Sequence, residues 1–308
     1  MKRIMITGVT GFIGQALAVE AVARGCAVFG IGSDSGMVQM PAGLTNAVSM
    51  RLPDEGLDRL VEKFQPEIFF HCAGSAMPAK SFLSPSHDFK SSVPIVQSLL
   101  EAVRQGAPEA HVVVLSSAAV YGQPLTLPIS EMERPAPVSP YGFHKWLGEI
   151  LSREYSEIYG LRVSNARIFS AYGPHLRKQV LWDSIQKLTN QDEPEFPGTG
   201  EETRDFIYID DLIEALYLIG NRESGGHEVV NVASGVETRI SEVVNVVARH
   251  LDLLAGGWRF TGETDRAAPS TWRADISKLQ GQGFVPSISF DEGVRRTVEW
   301  VRKQKGEG

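Results

Sequence analysis

The residue types of Tyr141 and Lys145, and their spacing of four positions, could carry proton chemistry. Ser139 and Pro140, a capping serine followed by proline at the first helical position, predict a helix that runs to about Tyr159. Residues four apart lie on the same face of such a helix. An ammonium group beside a phenol stabilises the phenolate and lowers a phenol pKa that is normally about 10. A tyrosine tuned in this way can take or give a hydroxyl proton while a hydride moves to or from a cofactor.

A pair of serines, Ser116 and Ser117, stands at the end of a predicted strand, His111–Ser116. Ligands of open α/β sheets bind at the carboxyl ends of the strands. A hydroxyl at this edge can hydrogen-bond the substrate oxygen whose proton Tyr141 moves, and so orient it. We therefore predict that Tyr141, Lys145 and a hydroxyl of this serine pair act in catalysis, and that Ser116 lies at the cofactor. A tyrosine and a lysine at this spacing are often a surface coincidence, so the prediction depends on their combination with the serines and with a glycine loop.

That glycine loop consists of Gly8, Gly11 and Gly14, between a predicted first strand, Ile4–Thr7, and a helix. Glycines allow the backbone to approach a pyrophosphate, and the helix N-terminus directs N–H groups and a positive dipole end toward it. Strand, loop and helix follow one another in the order that a dinucleotide-binding site requires. The sequence therefore predicts a dinucleotide cofactor, NAD or NADP.

The residues after the second predicted strand, Ala27–Ile31, would choose between these two cofactors. An acidic residue at the end of this strand binds the ribose hydroxyls of NAD, whereas an arginine nearby favours NADP. The position of the acid is taken by Gly32, but Asp34 could reach the ribose, and Ser33 could hydrogen-bond a 2′-phosphate. Arg51 could contact the cofactor from the neighbouring loop or could lie in solvent. The sequence does not decide whether the cofactor is NAD or NADP.

Strands and helices alternate six times along the first part of the chain. Several strands are continuous apolar runs, which is typical of a sheet covered on both faces. The pattern predicts an α/β fold, a Rossmann-type doubly wound parallel sheet with a smaller C-terminal substrate-binding domain. We assign residues 1–170 to the NAD(P)-binding domain, with a returning segment near 205–238, and residues 171–204 and 239–308 mainly to the substrate-binding domain. The six predicted strands are Ile4–Thr7, Ala27–Ile31, Ala47–Leu52, Ile68–Cys72, His111–Ser116 and Arg162–Phe169.

The composition excludes several classes of protein. With 43% hydrophobic and 22% charged residues, the 308-residue chain can bury a core. A net charge of −7 without a basic run argues against nucleic acid or a membrane surface as a partner. Cys26 and Cys72 lack metal-ligand spacing and predict no metal site, no disulfide framework and a reducing compartment. No apolar stretch approaches the roughly 20 residues that span a bilayer, and the first residues run straight into a strand pattern, so we expect a soluble cytoplasmic protein without a signal peptide.

Six motifs spread along the chain strengthen this interpretation when they are taken together. They are Thr7–Gly14 (TGVTGFIG), Ser116–Gly122 (SSAAVYG), Ser139–Gly142 (SPYG) followed by Lys145, Tyr172–Pro174 (YGP), Arg204–Asp211 (RDFIYIDD) and Asn231–Gly235 (NVASG). In these motifs the chain resembles the extended short-chain dehydrogenase/reductases, and within them the NAD-dependent epimerase/dehydratase family of nucleotide-sugar enzymes. The resemblance covers nearly the whole chain.

The resemblance implies a role for each matching residue. Tyr141 would be the acid/base, Ser117 the partner of the substrate hydroxyl, and Lys145 the electrostatic partner that also holds the nicotinamide ribose. Arg204 and Arg266 would hold the substrate diphosphate, and they would supply the local positive charge that an acidic chain otherwise lacks. The residues implied near the cofactor, beyond the glycines, are Phe12, Ile13, Ala73 and Gly74.

Some positions depart from the family pattern. The 4,6-dehydratases of the family carry an Asp-Glu pair where this chain has Ala118 and Ala119, and methyl groups cannot transfer protons, so 4,6-dehydration is disfavoured. Ser170 stands where the family often has an asparagine that contacts the substrate.

Arg204 has a second interpretation as the ion-pair partner of Asp205 or Asp210.

Two reactions fit the motifs, both at C4 of a nucleotide-diphosphate hexose. A 4-epimerase would keep its cofactor bound, and a 4-keto-sugar reductase would consume NADPH. A third hypothesis is a non-catalytic protein that senses NAD(P) on the same fold.

The resemblance also implies a homodimer through the helices Ser92–Arg104 and Tyr141–Tyr159. We expect the segment after Tyr172 to select the nucleotide and the sugar of the substrate. The candidate residues in this segment and later in the chain are His175, Trp182, Trp272 and Arg273.

Overall fold

A computed structural model of the chain describes residues 1–33, 40–223, 225–253, 256–263 and 269–306. Two residues assigned to the site from sequence, Asp34 and Arg266, lie outside the described residues. The described residues divide into two compact units, the first within 1–122, 134–168 and 213–231, and the second within 123–133, 169–212 and 232–308. No helix within the described ranges is long and apolar enough to cross a membrane.

The first unit is built on a parallel sheet in which, among the described residues, seven strands lie in the order β3-β2-β1-β4-β5-β6-β10. The pairings from β3 through to β6 are all parallel. The chain order reverses between β1 and β4, which is the point where such sheets bind their ligands. The predicted doubly wound sheet is therefore confirmed. The strands are β1 (Arg3–Thr7), β2 (Ala27–Gly32), β3 (Asn46–Ser49), β4 (Ile68–His71), β5 (His111–Ser117), β6 (Arg162–Ile168) and β10 (His227–Val232).

Helices cover this sheet, which explains why β4 and nearly all of β1 and β5 are buried. On one face, Met5, Phe69 and Val112 pack into a cluster with residues of α2 and α5. On the other face, Phe70 meets Tyr217 with ring centroids 6.3 Å apart. The helices concerned are α1 (Phe12–Ala23), α2 (Leu57–Phe64), α3 (Pro78–Leu83), α4 (Pro85–Lys90), α5 (Val93–Gly106), α6 (Pro140–Tyr159) and α8 (Ile209–Gly220).

The second unit holds a small sheet in the order β11-β9-β7 and a separate strand pair, β8 with β12. Its core includes the ring of Tyr172, which meets Phe206 at 6.0 Å and Phe290 at 5.5 Å between centroids. Gly293 lets α11 approach this core, since a Cβ there would lie 2.2 Å from the Tyr172 hydroxyl oxygen. The elements are β7 (Ser170–Tyr172), β8 (Glu195–Phe196), β9 (Thr203–Tyr208), β11 (Glu237–Arg239), β12 (Arg259–Phe260), α7 (Gln179–Asn190), α9 (Ile240–His250), α10 (Ser277–Gln280) and α11 (Phe290–Lys305).

Several boundaries differ from the sequence prediction. The third strand ends at Ser49 rather than Leu52. The expected sixth strand stops at Ile168, because the chain leaves the large sheet there and Ser170 begins β7 in the second unit. Two short helices, α3 and α4, were not predicted at all. Each has a proline in its first turn, but neither is long enough to show helical periodicity.

A buried ion pair ties α6 to the sheet. Arg167 on β6 donates from Nε and Nη2 to the two carboxylate oxygens of Glu149 on α6, at 2.9 and 2.6 Å. Ser116 at the end of β5 donates its hydroxyl to the same carboxylate at 2.6 Å. The Arg167 guanidinium also lies over the Tyr121 ring, 4.6 Å from its centroid. Both charged side chains are buried, so each depends on the other to offset its loss of hydration.

We expect Arg167→Met to lower the free energy of unfolding by about 3 kcal/mol, because it leaves the Glu149 carboxylate buried and unpaired. Urea unfolding followed by circular dichroism measures this. The matched control is Arg153→Met, which breaks a pair with Glu157 whose side chains are 65% and 58% exposed, and should cost less than about 0.5 kcal/mol. Equal losses in the two variants would contradict the structural role of the buried pair.

Candidate active site

The Tyr141 phenol lies buried in the first turn of α6 and hydrogen-bonds the Ser117 hydroxyl at the end of β5. Burial raises the pKa of Tyr141 to about 12, the hydrogen bond from Ser117 lowers it, and the Asp88 carboxylate raises it. The sequence predicted a lowered pKa for Tyr141, and this prediction is wrong for the protein without bound ligands. Burial raises the pKa by more than the hydrogen bond from Ser117 lowers it. The phenol is protonated at neutral pH.

Lys145 lies one helical turn after Tyr141, with its Nζ 5.8 Å from the centroid of the tyrosine ring. Its ammonium group donates to the backbone carbonyl of Leu115 at 2.9 Å. Burial lowers the pKa of Lys145 to about 8, while Asp88, Cys72 and Glu149 raise it. The structure thus brings Ser117 together with Tyr141 and Lys145, which lie one turn apart on α6.

Local capping fixes the start of α6. The Ser139 hydroxyl accepts a hydrogen bond from the backbone N–H of Gly142 at 3.1 Å, and Pro140 occupies the first turn. The backbone N–H of Tyr141 donates to Ser81 Oγ at 3.1 Å, and Ser81 in turn donates to the carbonyl of Pro78 at 2.6 Å. The α3 helix therefore holds the first turn of α6 in place. Sequence reasoning missed Ser81, because no motif marks it.

Asp88 and His144 form a second pair that sequence reasoning missed. Asp88 Oδ2 accepts a hydrogen bond from His144 Nδ1 at 2.6 Å; the Asp88 side chain is buried and that of His144 is 12% exposed. The ring of Phe89 meets the imidazole edge-on, with centroids 5.4 Å apart. His144 directly precedes Lys145, so this pair joins α4 to the catalytic face of α6.

The glycine loop has the shape that a dinucleotide requires. Gly8 adopts a φ of +68°, and a Cβ on it would lie 2.7 Å from the backbone nitrogen of Ala73. A Cβ on Gly14 would lie 2.2 Å from the carbonyl oxygen of Gly8. Gly11 caps α1 without a side-chain hydrogen bond, so N–H groups at this helix end remain for an anion. The close packing brings Ala73 and its neighbour Gly74 next to the loop, as predicted for residues that line one cofactor site.

The edge of the sheet beyond β2 bears on the choice of dinucleotide. A Cβ on Gly32 would lie 2.9 Å from Cγ2 of Thr10 and 3.1 Å from Cε of Met40, so a larger side chain there requires these neighbours to shift. Ser33 and Arg51 are exposed. With Asp34 outside the described residues, the assignment of Ser33, Asp34 and Arg51 to the cofactor stays a prediction.

Two further groups beside Lys145, at the end of β4, are electrically neutral. His71 Nδ1 bonds Thr7 Oγ1 at 2.8 Å, and burial together with Lys145 lowers the pKa of His71 to about 3. Burial raises the pKa of Cys72 to about 12, although Lys145 opposes this. Ser116, predicted to contact the cofactor, donates its hydroxyl to Glu149, and its contact with a cofactor stays a prediction. Among the described residues, no group of three or more His, Cys, Asp or Glu side chains could hold a metal ion.

In the second unit, Arg204 is a buried guanidinium that lies over the Trp272 ring, 5.3 Å from its centroid. It donates to the carbonyl of Thr203 at 2.7 Å, and burial lowers its pKa. The described residues give Arg204 no carboxylate within ion-pair distance. Asp205 instead accepts from the backbone N–H groups of Ser234, Gly235 and Ala274. The structure therefore does not show an ion pair of Arg204 with Asp205 or Asp210, and the Arg204 guanidinium remains available to bind an anion.

The other substrate candidates lie in the same unit. Trp272 meets Phe169 edge-on at 6.0 Å between centroids, next to Ser170 on β7. His175 and Trp182 instead gather around Trp300 of α11, with centroids 5.0 and 6.2 Å from it. The structure thus divides the predicted sugar-selecting residues into two aromatic groups.

Comparisons with known proteins identify the family of this chain. A family model described as "NAD dependent epimerase/dehydratase family" matches residues 4–233. A UDP-glucose 4-epimerase of Mycolicibacterium smegmatis is 29% identical over 98% of this chain and 99% of its own length. The Thermotoga maritima UDP-glucose 4-epimerase with UDP-glucose matches at a TM-score of 0.89 and 25% identity, covering 98% of this chain and 99% of that one. The Thermus thermophilus UDP-glucose 4-epimerase complex with NAD matches at 0.87 and 26%, covering 97% and 99%. The chain belongs to the NAD-dependent epimerase/dehydratase family.

Proposed function

We propose that this protein is a nucleotide-sugar 4-epimerase that keeps NAD bound and acts on a UDP-hexose. The observation that carries the proposal is the buried contact of the Tyr141 phenol with Ser117, one helical turn from the Lys145 ammonium and at the carboxyl edge of the sheet. Relatives of nearly the same length support it, because their names describe UDP-sugar 4-epimerases.

Each side chain has a defined task in this reaction. Tyr141 takes the proton of the sugar 4-hydroxyl when that carbon is oxidised, and returns it when the ketone is reduced from the opposite face. Ser117 hydrogen-bonds the same oxygen and aligns it. Because the pKa of Tyr141 is about 12, positive charge must favour its ionisation, and the Lys145 ammonium supplies such charge.

The glycine loop holds the cofactor in this proposal. Gly8, Gly11 and Gly14 leave space for a pyrophosphate, and Phe12 and Ile13 begin the helix whose N–H groups face it. When bound in its oxidised form, NAD supplies the hydride acceptor and a further positive charge. Lys145 would also hold the nicotinamide ribose.

In the second unit, Arg204 is our candidate for binding the substrate diphosphate. A guanidinium that is buried, stacked on Trp272 and without a carboxylate among the described residues favours an anionic ligand. Arg266, which we propose as the second phosphate-binding residue, lies outside the described residues. Ser170 is a further candidate for a substrate contact.

Two residues argue against a neighbouring reaction of the family. Ala118 and Ala119 follow Ser117 directly and carry no proton-transfer group. A 4,6-dehydratase needs acid and base at C5 and C6, so this chain favours chemistry confined to C4.

The cytoplasm stays the predicted location.

We also propose a homodimer through the outer face of α6. On that face Phe143, Leu147 and Ile150 are 48%, 37% and 46% exposed, and Phe89 of α4 is 40% exposed beside them. Apolar side chains gathered at helical spacing on one surface indicate a protein interface. A second copy of the same face would cover them, as in a four-helix bundle.

The wild-type protein should interconvert a UDP-hexose with its 4-epimer without added cofactor, as measured by chromatography of the products. Tyr141→Phe should lower kcat by about a thousandfold, because the proton acceptor is removed. The control Tyr159→Phe, on the exposed end of the same helix, should keep full activity. Consumption of NADPH with a 4-keto sugar, and no epimerisation, would replace this proposal with a reductase.

Gly14→Ala should weaken NAD binding by at least about tenfold, because its Cβ collides with the Gly8 carbonyl and moves the loop. Calorimetric titration of the cofactor-depleted protein with NAD and with NADP measures this and the cofactor preference. Gly225→Ala is the control, since a Cβ there meets nothing within 4 Å. Unchanged affinity in Gly14→Ala would exclude the loop as the pyrophosphate site.

The double variant Leu147→Glu with Ile150→Glu should be a monomer, because charge on the α6 face opposes burial against a second copy. Light scattering after size-exclusion chromatography measures the mass. Val19→Glu, at an exposed apolar position on α1, should leave the dimer intact. A monomeric wild-type protein would disprove the dimer directly.

A further inference from the structure

Asp205 is a fully buried carboxylate at which three segments of the second unit meet. It lies on β9, directly after Arg204. Its Oδ1 accepts hydrogen bonds from the backbone N–H and the hydroxyl of Ser234, at 2.9 and 2.8 Å. Its Oδ2 accepts from the backbone N–H groups of Gly235 at 3.0 Å and Ala274 at 3.1 Å. The two oxygens therefore join β9 to the segments around Ser234 and Ala274.

The Asp205 carboxylate is ionised although it is buried. Burial raises its pKa to about 6, while the hydrogen bonds from Ala274, Ser234 and Gly235 lower the pKa, so the group carries its charge at neutral pH. Hydrogen bonds to an ionised acceptor are stronger than those between neutral groups. Removing the carboxylate therefore releases the donor segments and leaves their N–H groups unsatisfied.

The segment between Ser270 and Ala274 is fixed along β9 at both of its ends, and it carries Trp272. At its start, the Ser270 carbonyl accepts a hydrogen bond from the backbone N–H of Thr203 at 2.9 Å. At its end, the N–H of Ala274 donates to Asp205. Trp272 therefore lies between two fixed points.

Trp272 in turn restricts the Arg204 guanidinium, whose Cζ lies 5.3 Å from a ring centroid of the indole. A guanidinium against an aromatic face loses much of its freedom to rotate, so its N–H donors keep their directions. Nη1 of Arg204 donates to the carbonyl of Thr203 at 2.7 Å, and a guanidinium has further N–H groups to offer a ligand. The direction of those groups depends on Trp272, and the position of Trp272 depends on Asp205.

We propose that Asp205 is a positioning residue for the substrate diphosphate: it fixes the segment that places Trp272 against Arg204, and so aligns the guanidinium with the phosphate oxygens. The proposal rests on the assignment of Arg204 to the diphosphate in the 4-epimerase function stated above. It also gives a physical reason for two of the sequence motifs, because Asp205 of RDFIYIDD meets Ser234 and Gly235 of NVASG in these hydrogen bonds.

The test is calorimetric titration with UDP. Asp205→Ala should weaken UDP binding by about tenfold, because the segment that carries Trp272 is released at its Ala274 end. The matched control is Ser234→Ala, which removes a hydrogen bond from the same carboxylate but keeps the bond from Ala274, so UDP affinity should change by less than about twofold. The affinity for NAD should be unchanged in both variants, because the glycine loop belongs to the first unit.

A double-mutant cycle separates positioning from a general loss of structure. Arg204→Ala should weaken UDP binding by about a hundredfold, because charge-assisted hydrogen bonds to the diphosphate are lost. In the Arg204→Ala background, Asp205→Ala should weaken binding by less than a further factor of about two, since the side chain that Asp205 positions is already gone. A purely structural residue would cost the same factor in both backgrounds, and that result overturns the proposal.

Steady-state kinetics with a UDP-hexose supply a second readout. Asp205→Ala should raise KM by about tenfold and lower kcat by less than about threefold, because the catalytic residues are untouched. Should Asp205→Ala not fold, Ala274→Pro removes only the N–H donor to Oδ2, and it should also weaken UDP binding.

The outcomes separate this role from the epimerase function. Unchanged UDP affinity in the folded variant overturns the positioning role even if the enzyme is an epimerase, and a wild-type protein that does not bind UDP overturns it as well. A loss of UDP affinity in Asp205→Ala that disappears in the Arg204→Ala background upholds the positioning role. If that protein epimerises no UDP-hexose, the positioning role stands and the epimerase function is refuted.

Discussion

The structure depends on keeping an ammonium group charged inside the protein next to a neutral phenol. Burial is the largest of the effects that lower the pKa of Lys145 to about 8 and raise that of Tyr141 to about 12. Dehydration therefore works against both forms that the chemistry uses, the charged lysine and the ionised tyrosine. The surrounding groups act mainly to limit these two costs, and they must be rigid, because electrostatic compensation at short range depends steeply on distance.

Rigidity comes from contacts that join elements far apart in the chain. The Glu149–Arg167 pair with Ser116 joins α6 to β5 and β6, while Ser81 fixes the first turn of the same helix from outside the sheet. Catalytic side chains on a helix that is anchored at its first turn and near its middle keep their spacing without help from a ligand. The glycine loop follows the same logic, since its close approach to Ala73 forms the cofactor platform from backbone atoms.

The sequence predicted those features that local rules govern. The capping serine and proline located α6, the spacing of four placed Tyr141 and Lys145 on one face, and three glycines between strand and helix located the loop. Asp88 and His144 are 56 positions apart, so their contact has no local signature. The prediction that the pKa of the Tyr141 phenol is lowered was wrong for a related reason. The sequence shows which charges are near, but burial is a property of the whole fold, and here it is the larger effect.

The glycine that closes β2 limits how this protein can change its cofactor preference. An acidic side chain at Gly32 would collide with Thr10, whose branched Cβ leaves it few other rotamers, whereas the flexible end of Met40 can move aside. An aspartate at that position therefore requires Thr10 to shift or to be replaced by a smaller residue. A change toward the common ribose-binding acid is thus coupled to an adjustment of the glycine loop.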